Sequence, residues 1–337
     1  MTEVIVGIDF CTSESGYSFA FKDNKYAILH GNIIGANINY KVPTDIILDD
    51  KNNTLAFGVE CIEYMKRRGL NSGFHFKNIG MNLFQKKAEI ESNNSGKIFP
   101  LILIILKVLE KLKDLTIKEI RRLRPSIQNH IKYMITIPAF FDDFQKNIIM
   151  KACIKSGLIK EANDISLLFV LEPEAALYYS LYISSNKNLV KKGNFYIICN
   201  LGEDTGEIAA HLFGDNKNLN EIYPICSNKF GSNEIKKIFY EEIILKIFGC
   251  KDFKTYYKKY KELNSDKDDE NEGTLYNYWY DFERNIKDYQ EYIDIRKVNE
   301  NEYYYTNCNL FKDIFNDDSN INTFVEKYNN NCDNELQ

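Results

Sequence analysis

Two stretches of the chain share one hydrophobic pattern: a β-branched strand, a polar turn and a returning strand. The first begins at residues 4–10 and returns at residues 17–21, and the second begins at residues 194–200 and returns at residues 207–213. A further apolar segment follows each pair. The pattern predicts a β-ribbon with a polar tip in each half of the chain, which is a weak internal repeat.

Between the two ribbons, helical and strand-like periods alternate. The pattern predicts helices over residues 59–69, 101–124, 142–156 and 173–182, and strands over residues 133–137 and 167–171. Such alternation is typical of an α/β fold with a mixed or parallel sheet in each lobe. Residues 38–125 have weaker strand signals, and we interpret them as an insertion on the first lobe.

The organisation predicted from these patterns is two-lobed. Residues 1–187 form the first lobe and residues 188–337 form a partial second lobe with a polar, helical C-terminal region. In the second lobe a helix is expected to start at Gly231 and Ser232, with the serine as its N-cap. Further helices are expected near residues 252–262 and 276–293, and fraying from Lys327 onward.

Composition excludes several classes of function. The 337 residues include 44% hydrophobic side chains, enough for two cores, and a net charge of −5 without a basic block argues against nucleic acid or an anionic membrane as main partner. None of the eight cysteines lies at CxxC spacing, which argues against a zinc site or redox pair. The N-terminus lacks a signal-peptide pattern, and the longest apolar run, residues 101–106, is too short to span a bilayer. We therefore expect a soluble, cytoplasmic protein.

The polar ribbon tips are the candidate chemistry. Backbone N–H groups at a tight turn converge on an anion, and small hydroxyl side chains add donors. Two tips that face each other across a cleft could hold a polyphosphate from both sides. Carboxylates at the strand ends could hold a hydrated Mg²⁺, which needs few protein ligands.

Four segments resemble the seventy-kilodalton heat-shock proteins of the actin-like ATPase superfamily. They are the first phosphate loop at residues 7–13, the connecting strand and helix at residues 135–158, the Leu-Glu-Pro-Glu-Ala-Ala motif at residues 171–176 and the second phosphate loop at residues 200–207. Together with residues 40–44 (YKVPT), these motifs are similar to those of the divergent heat shock 70 kDa protein 12 branch. The resemblance covers residues 4–250 and implies a two-lobed actin-like ATPase fold built from ribonuclease H-like repeats, with the second lobe incomplete.

The resemblance implies a role for each matching residue. Asp9 matches a carboxylate that binds Mg²⁺ through water, Asn200 takes a second position of the metal shell, and Glu172 matches the acid near the attacking water. Lys77 is the candidate for the lysine that meets the γ-phosphate. The remaining residues expected to bind the nucleotide are Thr12, Ser13, Gly202, Asp204, Thr205 and Gly231.

Four departures weaken the resemblance at the phosphate loops. Asn200 replaces a carboxylate, while Glu203 and Asp204 replace glycines and add negative charge beside an anionic ligand. Two like charges roughly 5 Å apart repel by roughly 3 kcal/mol at an effective dielectric constant of about 20. Cys11 adds a side chain where the family has glycine, and Asp204 could alternatively be a displaced metal ligand. The Gly-Gly turn that stacks on adenosine is not found before Gln337.

Two functional hypotheses follow. The first is an ATP- and Mg²⁺-binding chaperone-type ATPase, slow or impaired, that interacts with protein clients or co-chaperones. The second is a non-catalytic interaction module that keeps the fold but binds nucleotide weakly or not at all. A sugar kinase of the same superfamily is a weaker alternative because the Glu-Pro motif is of the chaperone type.

Overall fold

The computed structural model describes residues 4–31, 41–69, 72–127, 130–183, 192–214 and 218–228, and also residues 231, 234, 238 and 241. The chain divides into two units, Met1–Glu234 and Ile235–Gln337, and every feature discussed below lies in the first. The helices predicted near residues 252–262 and 276–293 and the fraying from Lys327 lie outside the described residues. The lobe boundary at residues 187 and 188 and the incomplete second lobe stay predictions.

The described secondary structure alternates between strands and helices along the chain. The strands are β1 (Val4–Phe10), β2 (Glu14–Phe21), β3 (Asn24–His30), β4 (Lys41–Pro43), β5 (Ile46–Leu48), β6 (Thr54–Phe57), β7 (Phe74–Phe76), β8 (Glu89–Glu91), β9 (Ile98–Pro100), β10 (Ile131–Ile137), β11 (Leu167–Leu171), β12 (Phe195–Leu201), β13 (Gly206–Phe213) and β14 (Leu219–Asn228). The helices are α1 (Glu60–Arg68), α2 (Ile79–Phe84), α3 (Leu101–Leu123), α4 (Asp143–Lys155) and α5 (Glu172–Ile183).

A six-stranded mixed sheet is the centre of the unit. Its order is β11-β10-β1-β2-β3, and β4 pairs with the same edge of β2 as β3 does. Strand β1 is parallel to β10 and antiparallel to β2, and β10 is parallel to β11. The predicted α/β fold with a mixed sheet is therefore confirmed.

The core lies between this sheet and helix α3. Apolar side chains of α3 recur every three or four residues and are fully buried, among them Ile104, Val108 and Leu112. That spacing places them on one face of the helix. Helix α4 packs beside α3, and its start is fixed by a capping box. The Asp142 carboxylate accepts from the Phe144 N–H (2.9 Å), and the Gln145 side chain accepts from the Asp142 N–H (2.9 Å).

The second ribbon forms a sheet of its own. Strands β12, β13 and β14 pair antiparallel in that order, as β1, β2 and β3 do in the first ribbon. The two predicted ribbons and their third strands are thus present. Between β3 and β10 the chain forms two small sheets, β6-β5-β7 and β8-β9, as well as helices α1 and α2. No helix among the described residues is long and apolar enough to cross a membrane.

Candidate functional site

The tips of both ribbons line one cleft. Thr12 and Ser13 come from the turn after β1, while Gly202, Glu203 and Thr205 come from the turn after β12. The cleft encloses about 760 Å³ of empty space, counted out to its open mouth. The structure therefore brings the two predicted phosphate loops to the same place.

The first turn is held from behind by residues outside the ribbon. The N–H of Thr44 donates to the Ser13 carbonyl (2.7 Å), and the Thr44 hydroxyl donates to the Cys11 carbonyl (3.2 Å). On its other side the turn contacts Gly80 of helix α2, where a β-carbon would lie 2.7 Å from the Thr12 Cα. These contacts fix the backbone of the turn, so that its donors are oriented before a ligand arrives.

The second turn is supported in a similar way. The Gly202 N–H donates to the Thr205 carbonyl (2.9 Å), which closes the turn. Gly231 lies against its backbone, because a β-carbon at residue 231 would stand 2.2 Å from the Glu203 carbonyl oxygen. Neither Gly231 nor Asp204 is among the described residues that line the cleft. Their predicted contacts with a nucleotide stay predictions.

Asp9 lies near the end of β1 and is surrounded by donors. Its Oδ1 accepts from the Thr136 hydroxyl (2.6 Å) and the Cys11 thiol (3.1 Å), and its Oδ2 is 2.6 Å from the Lys41 Nζ. Burial alone would raise the pKa of Asp9, but the Lys41 charge and these hydrogen bonds hold it below the ordinary value. Asp9 is therefore ionised and paired.

Cys11 remains a thiol in this arrangement. Burial is the largest cause that raises its pKa, and the neighbouring carboxylates of Asp9 and Glu172 raise it further. A thiol with a raised pKa is a poor nucleophile. The structure thus supports a packing and hydrogen-bonding role for Cys11, at the position where the resembled family has glycine.

Glu172, Asn200 and Glu207 form a second polar group at the ends of β11 and β12. The Asn200 amide donates to Glu172 Oε2 (3.2 Å) and, more weakly, to Glu207 Oε2 (3.5 Å). Glu207 is 1% exposed, and its Oε1 accepts from the Ala139 N–H (2.7 Å). Burial, with the Asp9 and Glu207 charges, raises the pKa of Glu172 to about 8, and burial also raises the pKa of Glu207.

The raised pKa of Glu172 predicts a pH-dependent stability. The folded chain keeps a proton on Glu172 from its ordinary pKa of 4.5 up to about 8, while the unfolded chain loses it. The folded state binds more protons across that window, so the free energy of unfolding should fall as the pH rises. The slope contributed by one proton is at most about 1.4 kcal/mol per pH unit.

Urea unfolding at pH values from about 5 to about 8 measures this slope, because this range lies between the pKa values of Glu172 in the unfolded and folded states. Glu172→Gln cannot lose a proton and should flatten the decline. Glu60→Gln removes an exposed carboxylate from the equivalent first turn of α1 and should keep the slope of the unmodified protein. An unchanged slope in Glu172→Gln would show that Glu172 is ionised at neutral pH.

The residues present do not fit a directly coordinated Mg²⁺. Both oxygens of Asp9 are already taken up by protein donors, and Asn200 supplies an amide where a second carboxylate was expected. Across the described ranges, no group of three or more His, Cys, Asp or Glu side chains converges as a metal site. The metal predicted at Asp9 and Asn200, which would bind to Asp9 through water, stays a prediction.

Among the described residues, Lys41 is the lysine that lines the cleft. It was not singled out from the sequence, although it lies in the YKVPT segment that carries the resemblance. Lys77, the predicted phosphate lysine, is not among the described residues of the cleft wall. Its N–H donates to Asn93 Oδ1 (2.8 Å), and its charge acts on the buried Cys61. A role of Lys77 at a phosphate stays a prediction.

Comparison with known proteins shows sequence similarity to heat shock 70 kDa proteins 12A and 12B. No family profile matches the chain. Human heat shock 70 kDa protein 12B is 27% identical over 191 residues, and human and mouse heat shock 70 kDa protein 12A are each 26% identical over the same length. The matches cover 52% of this chain but only 28% of each of those proteins. The resemblance predicted from the motifs is confirmed over this half of the chain.

A solved structure was also found to be similar. It is a non-polymerising mutant of MamK bound to AMPPNP, with 12% sequence identity and a TM-score of 0.38. The alignment covers 73% of this chain and 59% of the MamK chain.

Proposed function

We propose, from the relationship to heat shock 70 kDa protein 12, that this chain carries a nucleotide-binding domain of the ATPase type. The observation that supports this most directly is the convergence of residues 11–13 and 202–205 on one cleft. The proposal extends to ATP as the ligand. Because the chain spans less than a third of the length of these relatives, an ATPase coupled to protein clients or co-chaperones is likewise a proposal.

The cleft offers donors of the kind that phosphate requires. Thr12, Ser13 and Thr205, each of which carries a hydroxyl group, lie on its wall. The Lys41 ammonium adds a positive charge on the same wall. Hydrogen bonds to a charged acceptor contribute more than neutral ones, about 1.5–3 kcal/mol each. Four or five such contacts are enough for a specific polyphosphate site.

We propose that hydrolysis in this cleft is slow. The resemblance implies that Glu172 is the carboxyl group near an attacking water, and a general base must be ionised to accept its proton. With a pKa of about 8, Glu172 carries a proton at neutral pH before ligand binds. Glu203 on the cleft wall also places a carboxylate beside the anionic ligand. The protonated Glu172 favours a domain that binds nucleotide more readily than it hydrolyses it, whereas the Glu203 charge opposes tight binding.

The alternative is a non-catalytic interaction module. The same two features, with Asn200 in place of a carboxylate, favour it. The two proposals differ in one measurable respect, since only the first requires phosphate release from ATP above the background of a Glu172→Gln variant.

Thermal unfolding with and without ATP tests nucleotide binding. ATP at a hundred times its dissociation constant should stabilise the protein by roughly 2.7 kcal/mol. Thr12→Val keeps the methyl group beside Gly80 and removes only the hydroxyl, so it should weaken binding about tenfold.

Thr54→Val, on β6 and outside the cleft wall, is the matched control and should bind ATP as the unmodified protein does. Absence of any ATP-dependent shift in the unmodified protein, at concentrations up to the solubility limit of the nucleotide, would exclude the proposed function. A shift that Thr12→Val leaves intact would place the nucleotide elsewhere.

A further inference from the structure

One row of residues crosses the main sheet from its edge to its centre. Lys41 on β4 is paired with Gly16 on β2, Gly16 is paired with Asp9 on β1, and Asp9 is paired with Thr136 on β10. Residues paired in register point to the same face of a sheet. The row therefore places the side chains of Lys41, Asp9 and Thr136 on one face, with Gly16 between the first two.

Gly16 is what allows Lys41 to reach Asp9. Neighbouring strands lie about 4.8 Å apart, so the two Cα atoms are separated by about two strand spacings. A lysine side chain crosses that distance only if the residue between leaves its path open, and glycine has no side chain to obstruct it. The resulting Nζ–Oδ2 distance is 2.6 Å.

Lys41 lines the cleft while its ammonium is paired with Asp9. It carries three N–H donors, and Asp9 Oδ2 is one acceptor. About half of the side chain, 47%, is exposed, and the residue lines the cleft between the two turns. A phosphate oxygen that enters this cleft would therefore meet a fixed positive charge.

The groups around Asp9 already satisfy this carboxylate, while Glu14 and Glu203 also line the cleft. Asp9 is the carboxylate nearest to Lys41, and Thr136 and Cys11 complete its hydrogen bonds. Asn200 contributes no charge, and it donates to Glu172 and Glu207. A divalent ion at Asp9 would have to displace the ammonium from a charge-assisted contact.

We propose that Lys41 takes the position of the divalent cation in this cleft, so that the polyphosphate of a nucleotide binds through the lysine ammonium without a metal ion. The inference rests on the proposed nucleotide binding and concerns how the charge of the ligand is neutralised. Lys41 is then a binding residue for phosphate, supplied by strand β4.

Calorimetric titration of ATP in EDTA and in excess Mg²⁺ tests the inference with the unmodified chain. We expect dissociation constants that are about equal in the two conditions (a factor of about two or less). Lys41→Met should weaken binding in EDTA by roughly ten- to a hundredfold, the loss of one charge-assisted contact. Lys41→Arg, which restores the charge, should recover most of the affinity in EDTA.

Lys66→Met is the matched control, because Lys66 is an exposed lysine of α1 outside the cleft wall. Its dissociation constant in EDTA should equal that of the unmodified protein. If Lys41→Met does not fold, Lys41→Gln and the titrations of the unmodified protein still decide the question.

The outcomes separate this inference from the proposed function. ATP binding in Mg²⁺ but not in EDTA would overturn the inference and leave nucleotide binding standing. Equal binding in both conditions by the protein and by its Lys41→Met and Lys41→Gln variants would also overturn it. Binding in neither condition would remove the proposed function, and the inference with it.

Discussion

Glu207→Ala is expected to lower the free energy of unfolding by about 3 kcal/mol, because it leaves a buried donor without an acceptor. Glu207 is fully buried on β13, and its Oε1 accepts the Ala139 N–H at 2.7 Å. Ala139 follows β10 of the main sheet, so this contact connects the main sheet to the second ribbon. Chemical denaturation measures the loss, and ATP binding should weaken with it because the second turn loses its support.

Two further variants separate the hydrogen bond from other effects. Glu207→Gln keeps a side-chain oxygen that can accept from Ala139, and burial already favours the uncharged form of Glu207 by raising its pKa. It should therefore cost much less than the alanine change. Glu221→Ala removes an exposed carboxylate from the adjacent strand β14 and should be close to neutral. Equal losses for Glu207→Ala and Glu221→Ala would show that the contact with Ala139 does not hold the sheets together.

Gly80→Val is expected to reduce ATP affinity by about a hundredfold while leaving most of the fold intact. A β-carbon at residue 80 would lie 2.7 Å from the Cα of Thr12 and 3.0 Å from its backbone nitrogen. Because these are backbone atoms, the first turn must move to relieve the contact, and its donors then lose their orientation. Overpacking of this kind typically costs about 1–3 kcal/mol.

The control for this change lies on the same helix. Gln85→Val introduces the same side chain at the exposed C-terminal end of α2 and should leave the dissociation constant unchanged. Titration of ATP and urea unfolding should be compared for both variants. If Gly80→Val binds ATP normally, the contact between α2 and the first turn does not position the phosphate-binding donors.

The long elements of the fold could be predicted because their own sequence determines them. Helix α3 repeats its apolar residues over 23 positions, and strand β1 is rich in β-branched residues with buried side chains at alternate positions. The strands from β4 to β9 were not predicted individually. All six have only three or four residues that could show a period, and β5 is buried at every position. A fully buried three-residue segment has no alternation from which a strand can be recognised.

The site could be predicted only where its residues are close together in the sequence. The turns at residues 11–13 and 202–205 each follow a recognisable strand, and their repetition suggested a shared ligand. Lys41 and Glu207 were not singled out, because their importance depends on partners in other strands. Lys41 reaches Asp9 through the register of β4, β2 and β1, and Glu207 reaches Ala139 across two sheets. Glu207 is the last residue of the second phosphate-loop motif, which was the available signal.

Lys77 was chosen from local sequence alone, and its role at a phosphate stays a prediction. It follows the strand β7 in a segment that resembles the family, and a lysine next to phosphate is chemically reasonable. In the structure its backbone is bonded to Asn93, and the cleft receives its positive charge from Lys41 instead. A motif establishes which residue type is present, whereas the side of a sheet to which it points depends on pairing that the sequence does not state.

Strand β4 has only three residues, and among the described strands it pairs with β2 alone. Its middle residue, Val42, is buried in the core and holds the strand in register. A slip of one residue would turn Lys41 to the opposite face of the sheet and leave Asp9 as a bare negative group. The electrostatic character of the cleft is therefore governed from the edge of the sheet, where one buried valine keeps the lysine on the correct face.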